Sequence, residues 1–357
     1  MVSAKTVLSL YKEKIDIELR KYLSRKIKEA DKISPYAGEV IEHVADLTLR
    51  GGKRIRPALF YYSFLAHGGK DRKRAVLASL AIEMSETYLL IHDDIMDDDE
   101  LRRGGVTIHE SYSRIADEKF KTKSNPRLFG SSMAINAGDI ACAMSNEILV
   151  NSGFKADLIV KAINELNKTY IKECYGQTLD VYSQLRDDVE PDDVILVHEL
   201  KTVPYTFDGP LKIGAILAGA NEKDLKKLSD FAVPLGTAFQ IQDDILGMFS
   251  SEEKLGKPVT SDLKEGKKTL LILDALKVAD KKQKEIIESN LGNKNVSLTG
   301  LRAVRRVVEE TGSLERSKKL AEKLVSKAMK ALDSLKLEKE GKEFLLGIAD
   351  YMIKRDY

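Results

Sequence analysis

The run Asp93-Asp94-Ile95-Met96-Asp97-Asp98-Asp99-Glu100-Leu101-Arg102-Arg103-Gly104 closes a long apolar-periodic stretch, and its reading decides the fold. Upstream, Val76, Leu77, Leu80, Ala81, Met84, Tyr88 and Ile91 recur on one stripe at helical spacing, so the acidic run ends an amphipathic helix begun near Arg72. Asp93 and Asp97 are four apart, which projects both carboxylates from one face. They repel unless a cation bridges them. Hard divalent ions such as magnesium take carboxylate oxygen, keep several waters and accept further ligands from phosphate. Asp97, Asp98, Asp99 and Glu100 also oppose the helix macrodipole, a cost that favours a functional reason over a merely solvated helix end. Arg102 and Arg103 then place two anion binders beside the carboxylates. The guest implied is a phosphate ester.

Outward from this run, Ile241-Gln242-Asp243-Asp244-Ile245-Leu246 echoes Ile91-His92-Asp93-Asp94-Ile95-Met96. It ends a second apolar helix and is followed by Lys257, Lys267 and Lys268. On the other side, Gly51-Gly52-Lys53-Arg54-Ile55-Arg56-Pro57 leads into a helix at 58–67, with Pro57 in its first turn and Gly68-Gly69 at its exit. A basic cluster thus sits at a helix N-terminus. A calcium loop fails on Asp98, where its sixth position needs glycine, and on Gly104, where its last needs glutamate. No glycine-rich phosphate loop opens a helix after a strand, and no Ser-His-Asp or Cys-His set appears among five histidines.

The rest of the chain predicts an almost all-α protein. Leu, Ala, Lys, Glu, Ile and Asp dominate while aromatics are 6%. The 357 residues contain no Pro/Gly-rich seam, so residues 1–357 read as one domain. Further helices are predicted at about 5–30, 130–151, 155–184, 192–220, 222–249, 268–290, 298–311, 314–335 and 338–354, with loops at 117–129 and 250–267. Basic residues (58) and acidic residues (56) nearly balance, which argues against nucleic acid as a partner. The segment from Met1 to Leu23 interleaves charge with its apolar residues, so neither a signal peptide nor a membrane span is predicted and a cytoplasmic location is expected. Cys142 and Cys174 lack metal-ligand spacing and read as buried, reduced thiols.

Taken together, the motifs over residues 45–275 resemble the trans-isoprenyl diphosphate synthases, or polyprenyl synthetases. The resemblance rests on the Gly51–Pro57 run, the first Asp-rich motif with Arg102-Arg103-Gly104, Ala137-Gly138-Asp139, and Lys201-Thr202. It continues through Phe239-Gln240-Ile241-Gln242-Asp243-Asp244, Gly256-Lys257, Ser261-Asp262 and Gly266-Lys267. It implies an all-α bundle of antiparallel helices around a central cavity, usually a homodimer, with both Asp motifs at the cavity mouth. It also implies that Asp93, Asp97 and Asp243 ligate Mg2+, three ions per site with substrate bound, supported by Asp94 and Asp244. The allylic diphosphate is then held by Arg102, Lys201, Thr202, Gln240, Lys257 and Lys267. Isopentenyl diphosphate binds at Lys53, Arg56 and Arg103. Diphosphate leaves the allylic carbon, the isopentenyl double bond attacks, and a proton is lost, with no side chain assigned as base.

Two positions depart from that pattern. Glu86 stands where the family has His or Gln near isopentenyl diphosphate, and its charge repels that anion unless it pairs with Lys53 or Arg56 or turns away. Gly247 replaces the third Asp of the second motif, a variation similar to archaeal geranylgeranyl diphosphate synthases, with Asp262 as a water-mediated support. Tyr88 lies five residues before Asp93 and Ser85 one turn further back, so both are expected to line the tail cavity. An isoprene unit spans about one helical turn, roughly 5 Å. In similar families an aromatic at that position stops growth at fifteen carbons when a second bulky group or an insertion accompanies it. Here Leu89 follows and no insertion is present, which favours a twenty-carbon product from dimethylallyl, geranyl or farnesyl primers. The alternatives are a farnesyl diphosphate synthase, a class I terpene cyclase, or a non-catalytic subunit of a heteromeric synthase.

Overall fold

In the computed structural model, residues 3–121, 124–251 and 259–353 are described, and they are overwhelmingly helical. The chain divides into two compact units. One comprises Met1–Asn164 with Ile213–Gly219 and Glu338–Lys342. The other comprises Glu165–Lys212, Ala220–Leu337 and Glu343–Tyr357.

The first unit opens with α1 (Ala4–Asp31), capped by Ser3, whose hydroxyl accepts from Thr6 N. Its predicted apolar stripe is the one it buries: Leu8, Tyr11, Ile15, Leu19, Tyr22 and Leu23. Helix α2 (Pro35–Leu49) follows; residues 31–50 carry no element in the sequence reading, although Ser34 as cap and Pro35 at the first turn mark the start. Helix α3 (Ile55–Ala66) is buried almost throughout, and Tyr11 bridges to it by donating to Pro57 O at 3.0 Å. Helix α4 (Arg72–Met96) is the helix that ends in the acidic run. It is long and apolar enough to cross a membrane, but 72% of its apolar window is buried within the protein, so that surface is spent on packing. A two-stranded hairpin, β1 (Leu101–Arg102) and β2 (Gly105–Val106), was not foreseen. After α5 (Ile108–Arg114) and a π-turn at Ile115–Lys119, α6 (Pro126–Val150) packs along α4. Its start lies inside the predicted 117–129 loop because Asn125 caps Arg127 N and Leu128 N.

Helix α7 (Ala156–Leu185) carries the chain into the second unit. The predicted 192–220 helix is interrupted there. It comprises α8 (Pro191–Val197), π-turns at His198–Thr202 and Pro204–Asp208, and α9 (Gly209–Leu217). Pro204 has no N–H to continue a regular ladder. Gly176 on α7 lets that backbone in, since a Cβ there would sit 2.2 Å from Lys201 N. Helix α10 (Glu222–Phe249) ends in the second Asp pair. Within the 250–267 loop, residues 252–258 lie outside the described residues, and α11 (Ser261–Glu265) is helical up to Gly266 in the left-handed region. The predicted 268–290 helix is two, α12 (Leu270–Val278) and α13 (Lys281–Asn290), because Asp280 and Gln283 form a capping box at the break. Then come α14 (Leu298–Glu310), α15 (Ser313–Asp333), which packs along α10, and α16 (Lys339–Ile353). Cys174 is exposed and Cys142 only half-buried, which corrects the expectation of two buried thiols. Both sit on outward-turned positions of amphipathic helices, which an apolar neighbourhood in sequence does not distinguish.

Candidate active site

In the first unit, α4 stops where Asp97 N bonds Asp93 O at 2.8 Å, and the chain leaves through Asp98 at φ 59°. Arg103 and Gly104 then form a two-residue turn with φ of 52° and 73°, both left-handed, as a type I′ hairpin requires. Arg50 braces this turn by donating to Arg102 O at 3.2 Å. The Arg50 guanidinium lies against Gly105, where a Cβ would stand 2.4 Å from its central carbon, so a side chain there would displace this brace.

The hairpin sends the two arginines to different partners. Arg102 donates to Asp94 Oδ1 at 2.5 Å and Asp99 Oδ2 at 2.9 Å, and lies 3.6 Å from Asp93 Oδ2. Arg103 instead donates to Glu86 Oε1 at 2.6 Å. Asp94 is 1% exposed, with Oδ2 lacking a hydrogen-bond partner. Burial pushes its carboxyl up to about 7, against the pull of Arg102. Burial works against the charge on Arg102 too, but Asp94, Asp93 and Asp99 outweigh it and hold its pKa above the ordinary arginine value. Asp93 and Asp97 are half-buried on the accessible side of the helix end. Their all-oxygen donor set suits a hard divalent ion.

Ala137-Gly138-Asp139 gains a physical reason. His92 lies across Gly138, where a Cβ would come 2.2 Å from Nε2, and Asp139 is 3.8 Å from the same nitrogen. Tyr88 meets the His92 ring edge-to-face at 5.0 Å and is half-buried, whereas its neighbours Ser85 and Leu89 are buried.

The basic run at 51–57 divides by role. Gly51 and Gly52 adopt φ of 123° and 107°, open only to glycine. Arg54 turns inward, 3% exposed, bonding Asp16 at 2.8 Å, Thr48 O at 2.8 Å, and Glu83. Arg56 turns the other way and donates to Glu86 Oε1 at 2.9 Å, while Lys53 is exposed. Burial disfavours the Glu86 charge, yet Arg56 and Arg103 hold its pKa below the usual glutamate value.

In the second unit, the π-turn gathers the other predicted residues, a distortion that often marks a functional segment. Lys201 donates to Asp180 at 2.7 Å. Thr202 donates to Gln240 at 2.9 Å, and Gln240 donates to Asp244 at 3.0 Å. Asp244 is 4% exposed, 3.3 Å from His198 Nε2 and 4.0 Å from Lys267 Nζ. Burial opposes its ionisation, but His198, Lys267 and Gln240 prevail and lower its pKa. For Lys267, burial is outweighed by Asp262, Asp244 and Asp180, and its pKa is raised. Asp243 occupies the less buried face of α10. Lys257 lies outside the described residues.

Sequence reasoning missed Asp180 and His198. The segment Gly176-Gln177-Thr178-Leu179-Asp180 carried a signal, a mid-helix glycine four residues before a carboxylate. His198 offered none, being a lone histidine until the π-turn placed it.

Residues 38–308 match the polyprenyl synthetase family, and the chain belongs to that family of prenyltransferases. Over 309 residues it is 37% identical to the geranylgeranyl diphosphate synthase of Sulfolobus acidocaldarius, covering 85% of this chain and 87% of the relative. It is 35% identical to the short chain isoprenyl diphosphate synthase of Methanothermobacter thermautotrophicus, over 97% of this chain and 99% of the relative. The crystal structure of geranylgeranyl pyrophosphate synthase from Corynebacterium glutamicum, complexed with isoprenyl diphosphate and magnesium, superposes with a TM-score of 0.90 at 27% identity. That match covers 97% of this chain and 99% of the other. The fold is therefore the all-α isoprenoid synthase fold. Magnesium dependence is general in the family.

Proposed function

We propose that this chain is a short-chain trans-prenyltransferase that condenses isopentenyl diphosphate with dimethylallyl, geranyl and farnesyl diphosphates to give geranylgeranyl diphosphate. The observation that carries it is the Arg102/Arg103 turn. One guanidinium serves the aspartates and the next serves a separate basic cluster, so a single hairpin addresses two anions. A twenty-carbon product agrees with the names of several relatives, including that of Sulfolobus acidocaldarius.

Asp93, Asp97 and Asp243 hold magnesium, three ions with the allylic diphosphate bound. When bound, these ions neutralise charge developing on the departing diphosphate. Arg102, Lys201, Thr202, Gln240, Lys257 and Lys267 orient that diphosphate and stabilise it as the allylic carbon ionises. Asp94 and Asp244 hold Arg102 and Gln240 in place. Lys53, Arg56 and Arg103 bind isopentenyl diphosphate, whose double bond attacks the cation before a proton is lost. Ser85, Tyr88 and Leu89 bound the tail. The whole chain, residues 1–357, is read as one synthase domain that works as a cytoplasmic homodimer.

Incubating the pure protein with magnesium, isopentenyl diphosphate and each primer separately, then sizing the products, tests this. A twenty-carbon product from all three primers is expected. A fifteen-carbon end product establishes the farnesyl alternative, which the half-buried Tyr88 favours. Cyclised hydrocarbon from a lone allylic diphosphate establishes the cyclase, and no reaction with any primer establishes the subunit reading.

A further inference from the structure

We propose that Glu86 is an internal anion that occupies the isopentenyl diphosphate pocket and sets that substrate's affinity by competing for Arg56 and Arg103; this rests on the pocket assigned above.

Both bonds fall on one oxygen. Glu86 Oε1 accepts from Arg56 Nη1 at 2.9 Å and from Arg103 Nη2 at 2.6 Å. A single anionic oxygen drawing two guanidinium groups together is the arrangement a phosphate oxygen makes with paired arginines. The two arginines come from distant segments, the helix start after Gly51-Gly52 and the type I′ turn, and Glu86 is a side chain that both contact. Its surroundings prevent it from simply turning aside. Glu86 is 7% exposed and Glu83, one turn earlier, is 1% exposed and committed to Arg54. Arg54 in turn is held by Asp16 and Thr48 O, so it cannot replace Arg56 as a partner. Around the pocket, Lys53, Arg56 and Arg103 supply three positive charges, of which Glu86 cancels one. Burial opposes that negative charge, but the flanking arginines keep it ionised at neutral pH.

Gly52 lies against one member of this pair. A Cβ there would stand 3.5 Å from Arg103 Nη2, so the guanidinium lies over bare backbone. Isopentenyl diphosphate arriving at Arg56 and Arg103 takes their hydrogen bonds from Glu86 and leaves that carboxylate beside its own negative charge. The pocket is therefore held in shape without substrate, and its affinity is reduced by the anion that holds it.

Glu86→Gln keeps the size and an acceptor oxygen while removing the charge. Two readouts apply: the KM for isopentenyl diphosphate at saturating farnesyl diphosphate, and direct calorimetric binding of isopentenyl diphosphate in the presence of chelator. The expected result is roughly a tenfold lower KM and Kd for isopentenyl diphosphate, with the KM for the allylic primer moved less than about twofold. Arg103→Gln, measured alongside, raises the isopentenyl KM and Kd at least tenfold if the pocket is assigned correctly. An Arg103→Gln effect with Glu86→Gln unchanged, or with Glu86→Gln binding more weakly, overturns the inference alone. No effect from either variant overturns the pocket reading as well. A Glu86→Gln protein that does not fold is replaced by Glu86→His, for which the same lowering is expected and the same outcomes count against it.

Discussion

The carboxylate of Asp262 occupies the space that a side chain on Gly247 would take, with Oδ2 standing 2.5 Å from a Cβ built on the glycine. The second motif is thus not simply short of its third carboxylate, because one from α11 stands beside the vacant position. The contacting atom is the end of a side chain, so Gly247→Ala should cost less than about 1 kcal/mol as Asp262 rotates away. Gly247→Asp sets two carboxylates against each other and should cost about 1–3 kcal/mol. Adding Asp262→Gly should recover most of that loss. Urea unfolding of the singles and the double measures the coupling, and strict additivity would reject the spatial exchange.

Removing a carboxylate from either motif should stop the chemistry while sparing the fold. Asp93→Ala and Asp243→Ala are each expected to lower turnover at least a hundredfold at saturating magnesium, with unfolding midpoints little changed. Rapid-quench assays with excess enzyme isolate the chemical step. Near-normal rates would defeat the metal assignment.

Tyr88 is half-buried one turn before the acidic end, between buried Ser85 and half-buried His92. Tyr88→Ala should lengthen the product by one or more isoprene units, since each unit matches about one helical turn. Chromatography of dephosphorylated products decides, and an unchanged distribution would remove Tyr88 from the floor of the tail site.

Asp94 and Asp244, the second aspartates of the two motifs, should make opposite contributions to pH-dependent stability. Burial raises the Asp94 carboxyl from 3.8 to about 7, so the folded chain holds a proton that the unfolded chain releases. That contribution is present below the ordinary aspartate value and is lost as pH rises through about 7. Asp244 is lowered, so its contribution is present above the ordinary value and is lost only as pH falls below it. In chelator, denaturation between pH 5 and pH 8 should show a decline of roughly 1–3 kcal/mol that Asp94→Asn reduces, with Glu83, raised to about 7 by its own burial, retaining a share, and that Asp244→Asn leaves unchanged. An equal decline in Asp94→Asn would exclude Asp94 as its source.

Arg54, though flanked by the residues assigned to substrate, should behave as a structural residue. Replacing it with Met strands the carboxyl of Glu83 in the core and removes a partner of half-buried Asp16, with an expected loss of about 3–5 kcal/mol. Thermal unfolding measures this. A stable variant with only a raised isopentenyl KM would return Arg54 to the binding pocket.

Much of the site was legible because its chemistry is local. Carboxylates four apart on a helix, two arginines directly after them, and glycines before a basic helix start are patterns in which neighbours in sequence are neighbours in space. The all-α class was legible for the same reason, since helical bonds and apolar stripes repeat over a few residues. The helix at Pro35–Leu49 was overlooked although Ser34 and Pro35 announced it.

The sequence by itself determined the helices, the two acidic ends, the basic run and the family to which they point. Only the tertiary structure decided which arginine serves which anion, that Arg54 turns into the core while Arg56 turns to Glu86, and that Asp262 stands beside Gly247. Partner choice in a folded chain depends on which charges burial brings within bonding distance. Glu86 and Arg103, or Gly247 and Asp262, meet through a turn and a helix approach that no spacing along the chain encodes.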